Sequence, residues 1–118
     1  MLDKFDDSEI MKGQMILVPA GFGRIERKDL DAPPTIEQLS SAVGGEIEHV
    51  PYFNFFIDSD LEWKPCIVFC NENGKLRGLE ANPRITTLWQ ALHRWPVMDI
   101  IVGPAVILTG TSALMSAL

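Results

Sequence analysis

With 118 residues, 47% of them hydrophobic, the chain has the size and apolar content of one domain with one core. Its net charge of −6, from 10 Lys and Arg against 16 Asp and Glu, argues against a nucleic-acid binder, because backbone phosphates require clustered cations. The longest apolar runs (Met15 to Val18, Cys66 to Cys70, Ala105 to Leu108) fall far short of the roughly 18 residues of a membrane-spanning helix, and the acidic start lacks the basic and apolar stretches of a secretory signal, so a cytoplasmic protein is expected.

Residues 1–12 mix acidic and scattered apolar side chains without a period and read as an N-terminal arm. The domain proper is expected over 13–110, with a C-terminal tail over 111–118. Met15-Ile16-Leu17-Val18 reads as a buried strand ended by Pro19, and Gly21-Phe22-Gly23 turns it back into Arg24 to Arg27 as a hairpin. A Gly-x-Gly turn also cradles phosphates in some folds, but no Lys-Ser or Lys-Thr follows this one. Pro33-Pro34, Thr35 and Gln38 then form a capping box for a helix striped by Ile36, Leu39 and Val43, which Gly44-Gly45 ends. Glu46 to Val50 is a strand that Pro51 marks as an edge or an end.

Tyr52, Phe53, Phe55 and Phe56 follow in a loop-like stretch and read either as a lid on the core or as a protein-docking patch. Asp58, Asp60 and Glu62 alternate but lack the glycine and final bidentate Glu of a calcium loop, which predicts a solvated loop. Cys66 to Asn71 is a central strand; its two cysteines lie on one face about 13 Å apart, too far for a disulfide, and read as reduced core residues. Asn73-Gly74 is the strongest hairpin signal in the chain, with Lys75 to Leu79 as the return strand. Asn82 caps a second helix with Pro83 at its first position, and Ile85, Leu88, Trp89, Leu92 and Trp95 repeat at helical spacing until Pro96. A last apolar strand, Ile100 to Val102 and Ala105 to Leu108, is bent at Gly103-Pro104, and the tail is long enough for a short helix. The sum is a single α+β domain, a mainly antiparallel sheet of about five or six strands with two helices, in the order β-β-α-β-β-β-α-β.

Chemistry is sparsely signalled. The two histidines, His49 and His93, sit in no catalytic motif, and zinc would require both to converge with Cys66 and Cys70 without the short paired spacings of zinc sites. A non-enzymatic protein without metal or cofactor is expected. The densest polar constellation is Asn71, Lys75, Arg77, Asn82 and Arg84, where a helix N-terminus and an arginine fork suit a phosphate or carboxylate. Each also has a structural reading: Asn71 and Asn73 serve the turn, Asn82 caps the helix, and the cations form the solvated face of a strand. An edge strand or the aromatic loop also offers a surface for a homodimer.

Val43 to Pro51, Val68 to Arg84, and Asp99 to Val106 together resemble a small domain-of-unknown-function family, number thirty-eight forty-six, found in phages and other mobile elements of bacteria. The resemblance runs from about Met15 to Gly110 and is most specific over Asn71 to Leu79, then Asn82 and Arg84. The segment from Asn54 to Trp63 is longer than the family pattern and is a candidate protein-specific surface. The resemblance brings no activity; it implies an accessory protein of a phage or plasmid. On that reading the protein binds a host target, as an anti-defence inhibitor does, through Tyr52 to Phe56 and its acidic surface. The alternative is a nucleotide-binding sponge built on the basic hairpin.

Overall fold

The computed structural model describes residues 10–93 and 99–118. Most of the N-terminal arm, and Trp95 and Pro96 of the second helical pattern, lie outside the described residues. The elements are β1 (Gly13–Val18), β2 (Glu26–Leu30), α1 (Ile36–Val43), β3 (Ile47–His49), β4 (Phe55–Ile57), β5 (Trp63–Pro65), β6 (Ile67–Asn71), α2 (Pro83–Gln90), β7 (Ala105–Gly110) and α3 (Ser112–Ser116). Five strands form one antiparallel sheet in the order β2-β1-β7-β6-β3, and β4 and β5 form a separate two-stranded ribbon. The single-domain α+β class is as the sequence predicts, with more elements than expected.

β7 lies at the centre of the sheet, hydrogen-bonded to β1 on one side and β6 on the other. Its first five residues are all buried, because the sheet is covered on both faces. Side chains alternate along a strand, so Val106 and Leu108 enter one core with Leu39 and Val43 of α1 and Leu114 of α3. Ala105 and Ile107 enter the other with Ile85 and Trp89 of α2, Phe56 of the ribbon, and Val50, Phe53 and Ile101 from connecting segments. β6 follows the same rule: Cys66, just before it, Val68 and Cys70 face the α2 side, and Phe69 faces the α1 side. Burial pushes the Cys66 and Cys70 thiols up to about 12 and about 11, so both stay protonated. The stretch expected to be a tail is part of the domain, since Thr111 caps α3 and Leu114 is fully buried.

The first helix begins as its sequence predicts. The Thr35 hydroxyl accepts from the Gln38 N–H, and the Gln38 side chain accepts from the Thr35 N–H. Gly44 ends the helix at φ 77°, a left-handed conformation that suits glycine. The Asn73-Gly74 expectation fails. A two-residue hairpin of the type that pair favours needs positive φ at both central residues, and neither has it. Asn71 instead accepts the Asn73 N–H through its side-chain oxygen, and the Arg77, Gly78 and Leu79 N–H groups bond back to Asn73, Lys75 and Gly74. This coiled turn replaces the return strand because both edges of β6 are already occupied, by β7 and by β3. In the same way, Ile100 to Val102 does not extend the last strand: it makes one bridge to Ala81, and the chain swings into β7 at Gly103, φ 75°.

One buried amide joins three of these elements. Asn82, fully buried, donates through Nδ2 to the Val18 carbonyl at the end of β1 and to the Gly103 carbonyl before β7, both at 2.9 Å. Its Oδ1 accepts the Ile85 N–H at 3.3 Å, capping α2. Removing the side chain leaves two buried carbonyls and a helix N–H unpaired. Asn82→Ala is therefore expected to lower stability by about 3 kcal/mol in urea unfolding, the sum of one cap and two buried acceptors. Asn82→Asp, which keeps the cap but sets an oxygen against two carbonyl oxygens, should do no better. A loss under about 1 kcal/mol for Asn82→Ala would show that α2 is held by packing alone.

Candidate functional site

The five polar residues singled out in the sequence do not converge. Asn71 is buried and donates through Nδ2 to the Val43 carbonyl at 3.1 Å, tying the end of α1 to β6. Arg77 donates to the Gly44 carbonyl at 2.9 Å, closing the same helix end. Asn82 is the node described above, and Arg84 donates to the Pro19 carbonyl at 3.0 Å, at the turn after β1. Lys75 forms an ion pair with Asp99. Each cationic or amide group thus holds a backbone carbonyl or a carboxylate of its own chain. Asn71 and Lys75 share a concavity, a cavity of about 240 Å3 between β3, the end of β6, the coiled turn, Trp89 of α2 and the 99–102 segment, whose lining does not include Arg77, Asn82 or Arg84.

The aromatic cluster divides between core and surface. Phe53 and Phe56 are fully and almost fully buried, so they belong to the core and have no face for a partner. Phe55 lies on the opposite side of the ribbon. The register pairs Phe55 with Pro65 and Ile57 with Trp63, which puts these four side chains on one face, and all four are exposed. Trp63 is 59% and Phe55 53% accessible. Composition alone did not mark Ile57, Trp63 or Pro65; alternation counted outward from a buried Phe56 would have done so. Tyr52 is exposed in a connecting segment and stacks edge-on against His93, whose ring also meets Trp89. His49 lies exposed on edge strand β3 against Phe69.

The ribbon turn carries a backbone anomaly. The Asp58 N–H bonds to Glu62 and the Leu61 N–H to Asp58, a three-residue hairpin loop whose last residue normally takes the left-handed position as glycine. Here that residue is Leu61, at φ 65° and 81% exposed. Tyr52 is the other non-glycine with positive φ among the described residues. A left-handed β-carbon costs roughly 1–2 kcal/mol.

Asp58 corrects the expectation of a solvated acidic loop. Its carboxylate is buried and clamped by Arg27 of β2 at 2.5 Å and Lys64 of β5 at 2.8 Å, and it accepts the Ser59 N–H at 2.7 Å. Asp60 and Glu62 remain exposed. The Arg27 guanidinium holds the Asp58 carboxyl well below the usual carboxylate range, aided by Lys64 and against the effect of burial. A carboxyl with a depressed folded-state pKa contributes stability that is present above its unfolded value and lost as pH falls. Asp58→Asn is expected to lower neutral-pH stability by about 2 kcal/mol, less than the roughly 3–5 kcal/mol of a fully buried pair because Arg27 and Lys64 are each about a third exposed to screening water. The gap between the two proteins' melting temperatures should be constant near neutrality and shrink below about pH 4. An unchanged gap down to strong acid would contradict the ribbon clamp.

Among the described residues, no group of three or more His, Cys, Asp or Glu side chains is placed to hold a metal ion, and no helix is long and apolar enough to cross a membrane. No curated protein and no solved structure matches the chain. Residues 11–114 match the family described as "Domain of unknown function (DUF3846)", from just before β1 into α3. The chain therefore belongs to that family.

Proposed function

We propose that the protein is a non-enzymatic binding module that docks on a partner protein through the outer face of the β4–β5 ribbon. The observation that carries this reading is the set Phe55, Ile57, Trp63 and Pro65, exposed together on one face. Burying such side chains against a partner recovers roughly 1.5–3 kcal/mol for each large one, so four adjacent ones make a credible anchor. Leu61 strengthens it. A leucine kept where glycine would relieve backbone strain, with most of its surface in water, adds nothing to the folded monomer that glycine would not. The family resemblance supplies the context for the proposal: a phage or mobile-element protein acting on a host protein, a defence component among the candidates.

The test uses two variants of opposite effect on stability. Phe55→Ser with Trp63→Ser should fold with a melting temperature near that of the natural protein and lose a host partner that the natural protein captures and binds when both are purified. Leu61→Gly should raise stability by roughly 0.5–1 kcal/mol while weakening that complex. Undiminished binding by the folded double variant would remove the ribbon from consideration.

A second reading, binding of a small molecule, is favoured by the 240 Å3 cavity that holds Asn71 and Lys75.

A further inference from the structure

The geometry points to a compact organic cation, an ammonium or guanidinium group on an apolar body, as the ligand of the cavity between β3, β6 and α2. This inference deepens the small-molecule reading and rests on it. At about 240 Å3 the cavity lies just under the roughly 300–1,000 Å3 of sites for drug-sized ligands, so the ligand is small. Its walls include Val50, Pro51, Trp89 and Ile101, which suit an apolar body. These walls are fixed in place: the Trp89 indole N–H donates to the Pro51 carbonyl at 3.0 Å, and Thr86 of α2 exchanges hydrogen bonds with both the N–H and the carbonyl of Ile101.

Charge selects the head group. Among the described lining residues are three carboxylates, Glu48, Glu72 and Asp99, and one cation, Lys75. Lys75 is spent on Asp99, leaving Glu48 and Glu72 without a cationic partner among the described residues. A side-chain hydrogen bond between Glu72 and Glu46 pushes the Glu72 carboxyl upward, and the like charges of Glu46 and Glu48 add to the shift. A phosphate entering here would meet an acidic wall in which neither Glu48 nor Glu72 has a cationic partner among the described residues, and a cation would relieve it. The cations that would have drawn a nucleotide elsewhere, Arg77 and Arg84, are bonded to backbone carbonyls outside the cavity. Cys70 lines the wall as a protonated thiol, which suits reversible binding over covalent capture.

The experiment is a nuclear magnetic resonance titration of the full chain with phenethylamine, tyramine and agmatine, in parallel with 2-phenylethanol, ATP and cyclic AMP, following the Trp89 indole and the Val50 and Ile101 amides. At least one cation is expected to shift these signals saturably at millimolar concentration or below, with the uncharged alcohol at least about tenfold weaker and the nucleotides silent. Glu48→Gln with Glu72→Gln, both exposed positions that leave the fold intact, should weaken the cation by about tenfold or more. Equal binding of amine and alcohol, or cation binding unchanged in the double variant, would overturn the inference. Nucleotide shifts at Trp89 would overturn the cation while sustaining the small-molecule reading. Silence from every probe would end both, and the ribbon capture assay would be unaffected by any of these results.

Discussion

A central strand buried on both faces is the constraint that organises this domain. β7 has no solvent side, so each face of the sheet must be roofed, in a chain whose described helices are no longer than eight residues. Helices this short do not persist alone in water and exist because they are docked. What docks them is partly apolar burial and partly two asparagines. Asn71 holds the end of α1 from beneath, and Asn82 holds the start of α2 against both β1 and the bend into β7. A buried amide is favourable only when its hydrogen bonds are made, so these residues fix where each roof sits as well as whether it stays.

The second roof is shared between α2 and the ribbon, and that division leaves the outer face of the ribbon exposed. A two-stranded ribbon is marginal by itself. This one is held by Phe56 in the core and by Asp58 between Arg27 and Lys64, contacts made from its inner side and its turn. Nothing in its stability asks for apolar side chains on the outer side, yet Phe55, Ile57 and Trp63 are there, with Leu61 in a strained position beside them. Scattered exposed apolar residues are ordinary on any protein; Phe55, Ile57, Trp63 and Pro65 are instead grouped on one face, which is what supports the docking proposal.

Local signals were readable in the sequence wherever the partner lies within a few residues. The Thr35–Gln38 capping box, the Gly44 stop, the Asn82-Pro83 start and the β1–β2 hairpin all follow from neighbouring side chains. The readings that fail depend on distant partners. Asn73-Gly74 has every local mark of a hairpin, but its return strand would need an edge of β6 that β3 and β7 already occupy. Asp58 looks like its exposed neighbours Asp60 and Glu62 until Arg27, some thirty positions earlier, is brought to it. The aromatic run reads in the sequence as either core or surface, and only the fold separates its members: Phe53, ahead of the ribbon, and Phe56 point inward, Phe55 outward.

The same distance effect reverses the electrostatic picture of the polar constellation. Counted along the chain, Lys75, Arg77 and Arg84 make a basic island in an acidic protein, an invitation to an anion. In the fold each of these cations is committed to its own chain: Arg77 to the carbonyl that ends α1, Arg84 to the carbonyl after β1, and Lys75 to Asp99. Arginine suits such posts because its planar fork reaches backbone oxygens without giving up its charge. Once they are so employed, the acids are what remain to face solvent, and Glu46, Glu48 and Glu72 gather where β3 meets the end of β6. Glu48 and Glu72 stand at the cavity. Basic side chains used as structural clamps thereby leave a concave surface of the opposite sign, and it is this surface, rather than the cations themselves, that a charged ligand would meet.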